Sequence, residues 1–214
     1  MSDSEIPNGW VVKNLIPVDP NTINDYFTIT NTSTQKYISF EINVNVDSLY
    51  YSYDDFKWEV FNKSKDNNTL LIGLLKGQKV RFKAINTLDK TTTFSFDRTF
   101  PFTQQINISG NIQTLSVGDD YKNLQNKATY CKNLFAHTEN VTFDGLLLPA
   151  TKLQEDCYAN MFEDCKGLTN IPEGLLPATT LASNCYYEMF GSCINLTNIP
   201  EGLLPATTLA SGCY

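Results

Sequence analysis

The sequence predicts a mainly β chain, an N-terminal β-sandwich followed by a short solenoid of repeats. Two observations carry this expectation. From about residue 21 to 110, apolar and polar side chains alternate in short runs broken by turn residues, which is the period of half-buried strands. Farther on, the chain repeats itself every 28 residues. Leu175-Leu176-Pro177-Ala178-Thr179-Thr180-Leu181 returns as Leu203-Leu204-Pro205-Ala206-Thr207-Thr208-Leu209, and an earlier version stands at Leu147–Leu153. Windows 157–184 and 185–212 are identical at 21 of 28 positions. A fixed period of this length marks units that bury their apolar faces only against their neighbours, which favours an extended binding or structural surface over an enzyme cleft.

Residues 1–20 read as an arm, punctuated by Pro7, Gly9, Pro17 and Pro20, with a short strand at Trp10-Val11-Val12. It is either a frayed terminus or a docking arm that orders on a partner. The sandwich spans 21–110. Ile38, Phe40, Ile42, Val44 and Val46 alternate with Ser39, Glu41, Asn43 and Asn45, so one row faces a core and the other faces water. Further strands are expected at Phe27–Thr30, Leu49–Tyr53, Lys57–Phe61, Thr69–Leu74, Gln78–Ala84, Thr91–Phe96 and Gln104–Ile108. Asp54-Asp55, Asp66-Asn67-Asn68 and Lys76-Gly77 read as hairpin breaks.

The solenoid spans 111–214. Ile112, Leu115 and Val117 are expected to form a capping strand. A degenerate first coil at 112–146 precedes repeats 147–174 and 175–202 and a partial copy at 203–214. In the first coil Leu134-Phe135 matches Met161-Phe162 and Asn133 matches Asn160, while Cys131 sits one place out of register with the later cysteine column. Each full coil reads as a short strand (Leu168–Ile171, Leu196–Ile199) ended by Pro172 or Pro200, then a helical turn over Asp156–Asp164 or Asn184–Ser192 with Asp156 and Asn184 as N-caps. Stacking places Leu168 on Leu196, Ile171 on Ile199, Leu153 on Leu181 on Leu209, and Phe162 on Phe190.

Composition narrows the function classes. The chain has 214 residues, a formal net charge of −7 and a pI near 4.7, and no Lys/Arg run exceeds two residues, all of which argues against nucleic acid as a partner. The apolar runs are too short to span a bilayer, so no membrane insertion is expected. The acidic, polar Met1–Pro7 does not resemble a secretory signal, and a protein that reaches its site without secretion, such as a virion component, is expected.

No catalytic, cofactor-binding or metal-binding residues are assigned. His137 is the sole histidine, and none of the common phosphate, nucleophile-elbow, zinc-protease or dinucleotide motifs occurs. The acid pairs Asp54-Asp55 and Asp119-Asp120 sit at turns, where turn chemistry explains them better than glycoside hydrolysis or Ca²⁺. The six cysteines admit zinc, disulfides between coils, or a ladder of small buried side chains. The wide Cys157-x7-Cys165 spacing and the odd columns favour the ladder.

Two groups are candidate ligand surfaces. Tyr51, Tyr53 and Trp58 flank Asp54-Asp55, and exposed Tyr and Trp beside Asp would stack on a sugar ring; the plainer account is sandwich core and hairpin turn. In the coils, seven positions separate the two best repeats: 159/187, 160/188, 163/191, 164/192, 166/194, 167/195 and 184/212. Tyr187, Glu188, Lys166 and Asn195 are the candidate recognition residues among them. They lie either on a permissive drifting edge or where recognition is tuned.

The pattern Cys-Tyr-x-x-Met-Phe-x-x-Cys-x-x-Leu-Thr-x-x-Pro-Glu-x-Leu-Leu-Pro-Ala-Thr-Thr-Leu at 157–181 and 185–209 resembles BspA-like leucine-rich repeats, found in surface proteins of gut Bacteroidales and in phages of those hosts. Leu49–Trp58, Leu75–Lys83 and Ser109–Leu115 resemble the β-sandwich that often precedes such repeats. The resemblance covers roughly residues 25–214 and implies a leucine-rich-repeat solenoid used for adhesion or recognition of proteins or glycans, without catalysis. It carries no site residues to transfer. The expected protein is a phage fibre or decoration protein on the virion surface, with other virion proteins or copies of itself and a host surface protein or glycan as partners. A bacterial cell-surface adhesin and a carbohydrate-binding module are the alternatives. The sequence stops in mid-repeat at Ser211–Tyr214, so that end is expected to continue, or to be covered by a partner or another copy.

Overall fold

The computed structural model describes residues 26–54, 56–63, 68–88, 90–96, 105–122 and 128–214. The expected arm at 1–20 with its strand at Trp10–Val12, together with Asp55, Asp66-Asn67 and Gln104, lies outside the described residues.

The fold is mainly β. Its strands are β1 (Phe27–Asn31), β2 (Tyr37–Val44), β3 (Ser48–Ser52), β4 (Glu59–Asn62), β5 (Thr69–Leu75), β6 (Lys79–Ala84), β7 (Phe94–Phe96), β8 (Ile106–Asn111), β9 (Val141–Thr142) and β10 (Leu146–Leu147). One sheet runs β10-β8-β1-β6-β3-β4 with β9 beside β8, and a smaller one runs β5-β2-β7. Alternation sets the faces: Ile38, Phe40, Ile42 and Val44 of β2 are buried, while Tyr37 and Ser39 are exposed. Asp54 does join a paired β3 and β4, and its carboxylate accepts the N–H groups of Phe56 (3.0 Å) and Lys57 (2.6 Å). Lys76-Gly77 departs from the hairpin expectation. Gly77, at φ 76°, turns the chain from β5 in one sheet to β6 in the other.

The two sheets meet through aromatic rings. Phe94 of β7 lies 5.3 Å from Phe82 of β6 and 6.1 Å from Phe27 of β1. Phe135, from the segment matching the later coils, joins the same cluster at 5.9 Å from Phe27 and 5.6 Å from Phe96. Each fully buried side chain of this kind stabilises the fold by about 1.5–3 kcal/mol. The buried cluster continues without a break from Phe27 to Cys213.

The capping strand expected at Ile112–Val117 is instead a helical turn, α1 (Thr114–Val117), followed by a 3₁₀ turn at Gly118–Lys122. Local hydrogen bonding outcompetes a ladder here: Asn111 Oδ1 accepts Gln113 N–H at 2.9 Å, and Gln113 O accepts Val117 N–H at 3.0 Å. The Thr114 hydroxyl accepts Phe27 N–H at 3.1 Å and lies 3.2 Å from Phe82 O, which fastens α1 across β1 and β6. The chain then returns to β8, where β9 and β10 pair in parallel (Ile106↔Val141, Leu146↔Gly110). Gly110 has φ 78°, and a Cβ there would meet Tyr26 O at 2.0 Å, so only glycine fits.

The helical turns expected at Asp156–Asp164 and Asn184–Ser192 are not helices. Asp156, Asn160 and Asp164, and likewise Asn184, Glu188 and Ser192, have φ between 46° and 59°. An N-cap takes β-region dihedrals, so Asp156 and Asn184 do not cap helices. The N–H groups alternate in destination. Ala159, Met161 and Glu163 donate three residues back, while Tyr158, Asn160, Phe162 and Asp164 donate to the next copy, at Cys185 O (2.9 Å), Tyr187 O (2.8 Å), Met189 O (2.9 Å) and Gly191 O (2.8 Å). Bonds spent between copies are unavailable for a helix. The short strands expected at Leu168–Ile171 and Leu196–Ile199 reduce to a single bridge, Asn170↔Asn198, and a second bridge joins Lys152 to Thr180.

The stacking register is the expected one, but the expected core columns do not stay buried to the last copy, where Ile199 and Leu209 are exposed. Rings of Phe135, Phe162 and Phe190 lie parallel at 5.4 and 5.7 Å, and those of Tyr158, Tyr186 and Tyr214 at 5.9 and 6.0 Å. Cys131 donates its N–H to Cys157 O at 2.6 Å, the position that the register gives to a counterpart of Tyr158. All six cysteines are unbridged and buried.

Candidate functional site

Two exposed surfaces gather the side chains that could recognise a ligand. The first is the outer face of the larger sheet. Tyr50 pairs with Lys83 across β3 and β6, so both point away from the core. Lys83 Nζ lies 4.5 Å from the Trp58 ring centre, 5.5 Å from Tyr26 and 6.0 Å from Tyr50, a cation held among aromatic faces. Tyr26 meets Trp58 edge to face at 5.0 Å. The 3₁₀ turn lays Asp119 over this group, where its carboxylate takes Lys83 Nζ at 2.8 Å and the Tyr26 hydroxyl. Partial burial pushes the Asp119 carboxyl up, but the hydrogen bonds from Lys83 and Tyr26 outweigh it and hold it below the usual carboxylate range.

Tyr51 and Tyr53 belong to the opposite face. Tyr51 pairs with the buried Phe82, its ring stands edge-on to Tyr53 at 6.1 Å, and its hydroxyl donates to Glu59 at 2.8 Å. Both pack against the core, and burial raises the Tyr53 phenol. The sheet therefore separates Trp58 from Tyr51 and Tyr53, as the two-residue period requires. It brings Trp58 together with Tyr26, Lys83 and Asp119, which are distant in sequence and carry no local signal of their meeting. Asp119-Asp120 does lie in a turn, but only the fold shows that this turn reaches back over β6.

The second surface is the edge of the stacked copies. Tyr187 and Glu188 are exposed side by side, and the hydrogen bond and charge of Glu188 raise the Tyr187 phenol. Asn160 of the preceding copy reaches Glu163 at 3.2 Å and Glu188 at 3.5 Å. Asp164 is gripped by His137 (3.3 Å) and Lys166 (3.4 Å), and these contacts, His137 first, pull its carboxyl down. Asn195 donates to Lys166 O at 2.7 Å. The edge thus sets Tyr187 beside Glu188 within one copy and joins Lys166 to Asn195 across neighbouring copies.

A subset of the shared side chains forms a buried frame in the earlier copy. Cys157, Tyr158, Met161, Phe162, Cys165 and Leu168, shared by both copies, are all buried. Of the positions that differ, Tyr187, Glu188, Ser192, Ile194, Asn195 and Gly212 are exposed, and only Ala159 is buried. Burial pushes the Cys157 thiol of the shared frame up to about 12 and raises Cys165, and it raises Cys131 in the first coil as well.

Among the described residues, no group of three His, Cys, Asp or Glu side chains is arranged to hold a metal ion, and no helix is long and apolar enough to cross a membrane. Compared with protein-family models, curated proteins and solved structures, the chain matches none.

Proposed function

We propose that this protein is a non-enzymatic recognition module of a phage particle, of the fibre or decoration type. In this reading the two sheets form a β-sandwich that serves as spacer or adapter, and the 28-residue copies form a short leucine-rich-repeat solenoid. Its exposed edge binds a host surface protein or glycan, and other virion proteins or further copies of the chain hold it in place. The observation that carries the reading is where the later copy differs from the earlier one: six of the seven differing positions are exposed there, over a frame whose Cys185, Tyr186, Met189 and Cys193 are buried. A surface that varies over a kept frame suits recognition. The groups best able to perform covalent chemistry are poorly placed for it, because the buried thiols hold their protons.

Mass spectrometry of density-purified phage particles and of host membranes tests the location. Recovery with particles supports the reading, and recovery with membranes alone replaces it with a cell-surface adhesin. A second reading, a carbohydrate-binding module, is favoured by the Tyr26–Trp58–Lys83–Asp119 face, where aromatic rings adjoin charged hydrogen-bonding groups. Saturable binding of neutral glycans that Trp58→Ala abolishes, with the thermal melt unchanged, would favour it over the coil edge.

A further inference from the structure

An open cleft of about 550 Å³ lies between the smaller sheet and the first copy of the repeat. That volume falls within the range of small-molecule sites, about 300–1,000 Å³. Asn43, Asn45 and Ser95 form one wall, on the solvent side of β2 and β7, and Lys132 and Asn133 form the other. The outer face of a sheet ordinarily meets open water. Here residues 130–133 rise beside it, and Thr92 Oγ1 donates to Lys132 O at 2.9 Å, which ties the walls together.

The lining has a definite chemistry. Among the described residues, the lining includes two lysines, Lys90 and Lys132, and no acid. Each lysine also pairs with an acid outside the lining, Lys90 with Glu155 at 2.5 Å and Lys132 with Asp156 at 3.3 Å. An ammonium carries three donors, so the single acid at Lys132 does not exhaust it. Among the described residues, no protein group is hydrogen-bonded to the side-chain amides of Asn45 and Asn133 or to the Ser95 hydroxyl. Tyr130 supplies an aromatic wall. Amides and a hydroxyl that both donate and accept match the hydroxyls of a pyranose, an aromatic ring matches its apolar face, and ammonium groups match a carboxylate.

We propose that this cleft binds a carboxylated sugar, the sialic acid or uronate unit of an acidic glycan. The inference does not rest on the function proposed for the coil edge, nor on the Trp58 face.

Ligand-observed NMR and calorimetry on the full chain test it, with sialyllactose and galacturonate as probes and lactose and galactose as their neutral counterparts. One of the acidic probes is expected to bind about tenfold more tightly than its neutral counterpart, a difference of about 1.4 kcal/mol, and to weaken as salt rises. Which probe prevails identifies the acidic unit. A Lys132→Gln/Asn133→Ala double variant should lose about tenfold, as should Asn45→Asp, a near-isosteric change that places a carboxylate on the opposite wall. Trp58→Ala should leave this binding unchanged. The proposal is overturned if neither acidic probe binds at about 10 mM, if acidic and neutral sugars bind alike, or if Asn45→Asp, folded as judged by its melt, binds the acidic probe undiminished. Loss of cell binding by the coil edge would leave this result untouched, so the two accounts fail separately.

Discussion

Replacing Phe162 by alanine should destabilise the whole protein by about 4 kcal/mol. Phe162 is fully buried, with parallel rings at 5.4 Å (Phe135) and 5.7 Å (Phe190) and the Phe143 ring at 4.4 Å. Buried Phe→Ala changes cost about 3–5 kcal/mol, and aromatic contacts contribute about 0.5–1.5 kcal/mol each beyond burial, which places this site in the upper half of the range. Phe190 is only partly buried, and among the described residues its one aromatic contact is Phe162, so Phe190→Ala should cost about 1–2 kcal/mol. Urea unfolding followed by far-ultraviolet circular dichroism and by Trp58 fluorescence, in a Trp10→Phe background, reads both. Trp58 belongs to the sheets and Phe162 to the stacked copies, yet one buried cluster joins them. Both signals should therefore shift together in Phe162→Ala. A cost no larger than that of Phe190→Ala, or a Trp58 transition left in place, would refute the continuous core.

Three other outcomes are expected. Tyr158 is fully buried and its hydroxyl has no hydrogen-bond partner among the described residues, so Tyr158→Phe should raise stability by about 1 kcal/mol in the same urea assay. Asp119 has a folded pKa below its unfolded one. Its contribution is present above the unfolded value of about 3.9 and is lost as pH falls through the folded value, so Asp119→Asn should flatten the acid limb of the stability–pH curve. The carboxylate is largely exposed, which keeps that contribution below about 1 kcal/mol. The six buried thiols should resist iodoacetamide at pH 8 in the native protein and all react in denaturant, as counted by mass spectrometry.

Much of the scaffold was legible in the sequence because its periods are strict. Alternation from Ile38 to Val44 names the buried face of β2 directly, and the 28-residue repeat sets Phe162 on Phe190. The local form of the copies was not legible. Asp and Asn favour both helix N-caps and left-handed turns, so Asp156 and Asn184 point to either, and only the hydrogen bonds to the next copy decide. Lys76-Gly77 is likewise turn chemistry whether it joins paired strands or carries the chain between sheets. The Trp58 face was half legible. The aromatic run marked Trp58, but Tyr26, Lys83 and Asp119 reach it through sheet order and the 3₁₀ turn, which no local pattern encodes.

The claim that the varying edge of the copies performs recognition is tested most directly by binding of the fluorescently labelled 214-residue chain to intact Bacteroidales cells, measured by flow cytometry. The account predicts saturable binding that Tyr187→Ala/Glu188→Ala/Asn195→Ala abolishes while the melting curve is kept, since all three side chains are exposed. Binding that persists undiminished in this triple variant, or no saturable binding to any such cell, would contradict it.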